Sequence, residues 1–144
     1  MTLTVNVNGT GPEPVLSLIA EIRAAIPPAT QLLLIDAEGT WTGGINLPSI
    51  IPHIDGILHC AHVTPHDRIT PLMAQTRALL GPDKTLIAGF QLFHPNLRDR
   101  ADLAARVGQT RGHVDELNFY NLGLVSPARL DWIRSALAEP LMAG

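Results

Sequence analysis

Gln31-Leu32-Leu33-Leu34-Ile35-Asp36 is the stretch that decides the fold. Four aliphatic residues in a row carry neither the helical period nor the alternation of a half-exposed strand. Such a run reads as a strand covered on both faces, as in parallel sheets. Further β-rich runs lie on either side of it: Leu3–Asn8, then Gly56–His62, Thr85–His94 and Glu116–Asn121. Amphipathic stretches separate them. Val15, Leu16, Leu18, Ile19, Ile22 and Ile26 recur at helical spacing until Pro27-Pro28 stops them. A short helix over Leu47–His53 is limited by Pro48 and Pro52. Thr64-Pro65-His66-Asp67 reads as a helix start with Thr64 as N-cap, and the helix runs to Leu80 before Gly81-Pro82. Asp99–Arg111 and a segment opening at Ser126-Pro127 complete the series. Alternation of strand and helix predicts parallel β-α units.

Composition agrees. The 144 residues make one domain, 1–144, and 46% of them are apolar against 16% charged. A chain of this length can bury an adequate core. The net charge is −3, with Lys84 the only lysine and the arginines spread along the helices. Nucleic acid would need a positive stripe, so it is not an expected partner. No stretch of about 18 apolar residues is present, which excludes a membrane-spanning helix. Met1-Thr2-Leu3-Thr4 lacks the basic start of a signal peptide, and Cys60 is the sole cysteine. The expectation is a cytoplasmic protein, with Cys60 a small packing residue.

Two architectures accommodate about five β-α units. One is an open doubly wound parallel sheet. The other is a partial TIM-barrel-like arc, since a whole barrel needs about 250 residues. Gly9-Thr-Gly11-Pro12 begins like a dinucleotide-binding turn but lacks the third glycine, and no P-loop pattern is present, so no cofactor is expected.

The tail carries a resemblance. Leu97-Arg-Asp-Arg-Ala-Asp-Leu-Ala-Ala-Arg106, Val114-Asp-Glu-Leu-Asn-Phe-Tyr-Asn-Leu-Gly123 and Leu130-Asp-Trp-Ile-Arg134 look like the final units of a TIM barrel. The whole chain resembles the C-terminal half of poorly characterised bacterial TIM-barrel proteins that look like glycoside hydrolases. The resemblance implies a hydrolase and either a homo-oligomer or a missing N-terminal half-barrel, because open sheet edges must be paired or covered.

In parallel α/β folds the site lies at the C-terminal ends of the strands. Each run here ends in residues capable of chemistry. Asp36-Ala37-Glu38 comes first: residues i and i+2 of a strand share a face, which would aim both carboxylates into the barrel mouth. Neighbouring carboxylates repel, one pKa rises, and a raised acid can protonate a leaving group. The Asp-x-Glu pattern resembles the acid motif of chitinase-like and muramidase-like glycoside hydrolases. That likeness implies Glu38 as general acid and Asp36 as its orienting partner, although the acidic residues expected upstream are absent from Leu32–Ile35.

Tyr120 is the third candidate catalytic residue. Trp41, His59, Gln91, His94, Asn118 and Asn121 are candidate contacts to a small-molecule or carbohydrate substrate, since amides and aromatic rings suit hydroxyl groups and sugar faces. A metal-dependent hydrolase or lyase is the alternative, with Asp36, His59 and His94 converging as three ligands. Against it, His59 and His62 are three apart and face opposite sides of a regular strand. A non-catalytic barrel fragment serving as a binding or assembly module is the other alternative.

Overall fold

The computed structural model describes residues 1–6, 12–36 and 47–138. Five strands alternate with helices: β1 (Thr2–Asn6), α1 (Pro12–Ala25), β2 (Gln31–Asp36), α2 (Leu47–Ile50), β3 (Gly56–Cys60), α3 (His66–Leu80), β4 (Thr85–Gln91), α4 (Arg100–Arg111), β5 (Glu116–Tyr120) and α5 (Pro127–Ala138). Single 3₁₀ turns follow α2 at Ile51–His53 and β5 at Leu122–Leu124.

All strand pairs are parallel and the spatial order is β1-β2-β3-β4-β5. A doubly wound sheet reverses its strand order at a switch point. Sequential order with no reversal instead makes the sheet curl in one sense, and the result is a curled half-barrel. The open-sheet alternative is thereby excluded.

Strand alternation sorts side chains between a helix-covered convex face and a concave face. Leu32 and Leu34 of β2, Ile57 of β3 and Leu86 of β4 pack against Val15 and Ile19 of α1 and Leu80 of α3. Ala88 and Phe90 continue that convex layer against Ile69, Met73, Leu103 and Val107. Leu33, Leu58, Cys60 and Ile87, with Ile35 and Val63, form a separate concave cluster. Each buried aliphatic side chain contributes roughly 1.5–3 kcal/mol. Gly89 lies on the concave face, where curling brings β3 close: a Cβ there would sit 2.5 Å from Leu58 Cδ2.

Two matching clasps hold the N-terminal end of the sheet. Asp55, just before β3, accepts hydrogen bonds from the Leu32 N–H at 2.7 Å and from Arg23 of α1 at 2.8 Å. Asp115, just before β5, accepts from the Leu86 N–H at 2.8 Å and from Arg77 of α3 at 2.5 Å. Each arginine also donates to a carbonyl of the loop leading into the clasped strand, Thr30 or Lys84. The same clasp thus recurs in α1-β2-β3 and in α3-β4-β5.

Strand ends fall short of the apolar runs. β3 stops at Cys60 and β4 at Gln91, so His62 and His94 lie in turns. Thr64 is not the N-cap of α3. Its hydroxyl donates instead to the Cys60 carbonyl at 3.3 Å, and the cap position is Pro65. Asp99 does cap α4, accepting from the Asp102 N–H at 2.8 Å.

Candidate functional site

The C-terminal rim carries two polar groups on opposite faces of the sheet. The first is sealed under the helices. Asp36 shares its face with Leu32 and Leu34, because Leu33 and Ile35 take the concave side. The carboxylate therefore does not look into the barrel mouth. Its register partner in β3 is His59, and Asp36 Oδ2 lies 3.3 Å from His59 Nδ1. His59 Nε2 reaches the Thr76 hydroxyl of α3 at 2.7 Å. All three side chains are buried. Carboxylate, imidazole and hydroxyl follow one another in the order of a hydrolytic triad. Enclosure beneath α3 instead makes this chain a bolt between helix and sheet. His59 is thus a packed, hydrogen-bonded residue and not a rim contact.

The second group faces the concave side. Tyr120 ends β5 on the face opposite Leu117 and Phe119, which pack beneath the helices. Its hydroxyl lies 3.8 Å from Cys60 Sγ and 3.5 Å from His62 Nε2. His62 is 3% exposed, and its Nδ1 lies 3.2 Å from the Gly89 carbonyl. A carbonyl only accepts, so Nδ1 carries the proton and Nε2 presents a lone pair. The Tyr120 hydroxyl then donates to Nε2, and the Cys60 thiol donates to the Tyr120 oxygen. The His94 ring meets His62 edge-on, with centroids 4.9 Å apart. Gln91 shares the concave face of β4 with Ile87 and Gly89 and is half-buried, and Asn118 of β5 is exposed on the same side as Tyr120. Asn121 is exposed and sits in the left-handed region at φ 60, ψ 37.

Burial governs the protonation of this group. It lowers the pKa of His62 to about 4, with the Gly89 hydrogen bond opposing and the fields of His94 and Arg106 assisting. Burial and Arg106 lower His94 as well. Burial pushes the Cys60 thiol and the Tyr120 phenol up. At neutral pH the cluster is therefore a set of uncharged donors and acceptors.

A buried ion-pair network fixes the loop that carries His62. Arg106 of α4 donates to the Ala61 and Thr64 carbonyls at 2.8 and 2.6 Å and pairs with Asp102 at 3.3 Å. Asp102 also holds His66 Nε2 at 2.6 Å. Two ends of the loop are thus tied to one helix.

Of the residues singled out from sequence, Tyr120, His94, Gln91 and Asn118 come together on the concave rim. Asp36 and His59 are joined to each other on the far face. Glu38 and Trp41 lie outside the described residues. Among the described residues no group of three His, Cys, Asp or Glu side chains could hold a metal ion, so Asp36, His59 and His94 do not converge as ligands. No helix among them is long and apolar enough to cross a membrane. The structure adds His62, which the sequence marks only as a strand-end histidine poorly spaced for a metal, and Thr76. The Cys60-x-His62 spacing at a strand end was the available signal for the first, and a threonine inside an amphipathic helix gives none for the second.

No family model matches the chain, and no curated protein or solved structure matches it.

Proposed function

We propose that this chain is a cytoplasmic hydrolase acting on a carbohydrate at the C-terminal rim of its half-barrel. The observation that carries the reading is the contact of Tyr120 Oη with His62 Nε2, neutral and facing the concave side at the end of the sheet where parallel α/β folds bind ligands. Gln91, His94 and Asn118 add amide and imidazole groups suited to hydroxyls. In this reading Glu38 donates the proton to the leaving oxygen. Asp36, tied to His59 beneath the helices, anchors the end of β2 and is not the orienting partner of Glu38 in this reading.

The test is turnover of a panel of nitrophenyl glycosides. Glu38→Gln is expected to abolish it while the circular dichroism spectrum is kept, and Tyr120→Phe to reduce it. Unchanged turnover in Glu38→Gln overturns the acid role.

A binding or assembly module is the second reading. Among the described residues β1 and β5 each pair on one side only, and Leu124 beside β5 is 71% exposed. A dimer or larger species by sedimentation, with no turnover of any glycoside, favours it.

A further inference from the structure

Backbone contacts at the concave rim set the proton position on two adjacent imidazoles, and they set it oppositely. His62 Nδ1 donates to the Gly89 carbonyl at 3.2 Å, which leaves Nε2 as an acceptor. His94 Nδ1 accepts the Asn96 N–H at 3.2 Å, which leaves Nε2–H as a donor. The rings touch edge to face. Beside them the Tyr120 hydroxyl both gives and takes, and its ring lies 5.8 Å from that of His62. An acceptor, a donor and a group that is both are thus carried by three rings, with His62 against both His94 and Tyr120, all uncharged at neutral pH.

We propose that His62, His94 and Tyr120 form a subsite for an uncharged vicinal diol, such as two adjacent hydroxyls of a sugar ring. One hydroxyl donates to His62 Nε2 and accepts from Tyr120 Oη. Its neighbour accepts from His94 Nε2–H. The choice of a sugar as the natural ligand rests on the function proposed above, but the subsite itself requires no catalysis. Competing chemistries fit less well. An anion would meet the lone pair of His62 Nε2, a cation would meet the field of buried Arg106, and a metal ion would find His94 Nδ1 already engaged by Asn96. A single hydroxyl satisfies only half of the set. Entry requires the Tyr120 ring, on edge strand β5, to yield. Its hydroxyl is held to His62 at 3.5 Å, the long limit of a hydrogen bond, so exchange for a ligand hydroxyl sacrifices little.

The probe is cis-1,2-cyclohexanediol, with cyclohexanol as the monohydric control, followed through the imidazole ¹⁵N resonances of the full chain. The diol is expected to shift His62 and His94 together with one dissociation constant. Cyclohexanol should bind several-fold more weakly, and Tyr120→Phe and His94→Gln should each weaken the diol roughly three- to tenfold, the effect of one lost hydrogen bond. Tyr120→Phe keeps the ring and hence the packing, so it reports even where a histidine variant fails to fold. Equal binding of the two alcohols, no shift with the diol, or unchanged affinity in both variants overturns the subsite. Diol binding without turnover of any glycoside leaves the subsite standing and overturns the hydrolase. Turnover with unchanged KM in Tyr120→Phe and His94→Gln does the reverse.

Discussion

His59 Nε2 and the Thr76 hydroxyl lie 2.7 Å apart with both side chains sealed between β3 and α3. The pair links the sheet to α3, and on its other side His59 Nδ1 lies 3.3 Å from the buried Asp36 carboxylate. Thr76→Val keeps the shape and removes the hydroxyl. A buried polar group deprived of its partner costs about 1–3 kcal/mol. Urea unfolding should show a loss in that range for Thr76→Val and a smaller one for Thr76→Ser. Equal stability of Thr76→Val and the parent would mean that the contact contributes nothing.

Acid should weaken the Asp115 clasp and the loop network together. Asp115 titrates below its ordinary value of 3.8, chiefly because the Leu86 N–H donates to it; Arg77 adds to this, and together they exceed the opposing effect of burial. At Asp102 burial acts to raise the pKa, but the hydrogen bonds from His66 and the Arg98 N–H, with Arg106, outweigh it and the net shift is down. A folded-state pKa below the unfolded one means that the unfolded chain takes up protons first as pH falls. This stabilisation is complete above the unfolded carboxylate range and disappears as pH drops through the lowered values. Urea midpoints at successively lower pH should fall fastest below about pH 4. Asp115→Asn should start less stable and lose less; a pH slope equal to that of the parent would exclude Asp115 from the effect.

His62 gives a second, higher window. Its folded-state pKa is about 4 against an ordinary 6.5, mainly through burial. Between these values the unfolded chain is protonated at this ring and the folded one is not. Stability should therefore decline as pH falls from 6.5 toward 4, and the decline should be smaller in His62→Gln. Titration of the His62 ring proton by NMR should give a midpoint near 4. A midpoint at 6.5 would place the ring in water and contradict the enclosed geometry.

Much of the fold was legible because apolar runs such as Leu32–Ile35 can only be strands covered on both sides, and because Pro27-Pro28 and Gly81-Pro82 end helices by known chemistry. Strand ends were less legible. Leu92 and Phe93 prolong the apolar run of β4, yet the chain turns at Gln91 so that His94 N–H bonds back to its carbonyl at 2.9 Å. One consequence is that His94 comes edge-on to His62, a contact that regular alternation cannot predict. The face of Asp36 was readable in principle, since Leu33 and Ile35 must share one side and Asp36 the other; which side met the helices needed the curl of the sheet. The clasps left a trace in sequence, with Arg23-Ala24 and Arg77-Ala78 each followed by a proline at Pro28 and Pro82, and His53-Ile54-Asp55 mirrored by His113-Val114-Asp115. Partners so distant along the chain pair only once the strands are parallel neighbours.

Asn121 separates a backbone role from a ligand role. Its φ of 60 lies where a side chain with a branched Cβ is strained, and asparagine is among the residues that tolerate it. Asn121→Val should cost about 1–2 kcal/mol in unfolding experiments, and Asn121→Gly close to nothing. If Asn121→Gly keeps stability but weakens binding of a carbohydrate, the side chain is a contact as well as a turn residue. If stability and binding both stay level, the role is conformational.

Gly89 couples the curl of the sheet to the rim. Its carbonyl orients His62, while its missing side chain leaves room for Leu58 and for the His59 carbonyl, which would lie 2.5 and 3.3 Å from an added Cβ. The terminal methyl of Leu58 can rotate away, whereas the backbone oxygen cannot. Gly89→Ala should therefore destabilise by about 1–3 kcal/mol, the usual cost of overpacking. The strain falls on β3 and β4 where they set the position of His62. The His62 ring resonance should move in this variant more than that of His66, which is held by Asp102 and Gln109 on the helix side of the loop. A variant as stable as the parent, with the His62 resonance unmoved, would show that β3 and β4 are not in contact at this point.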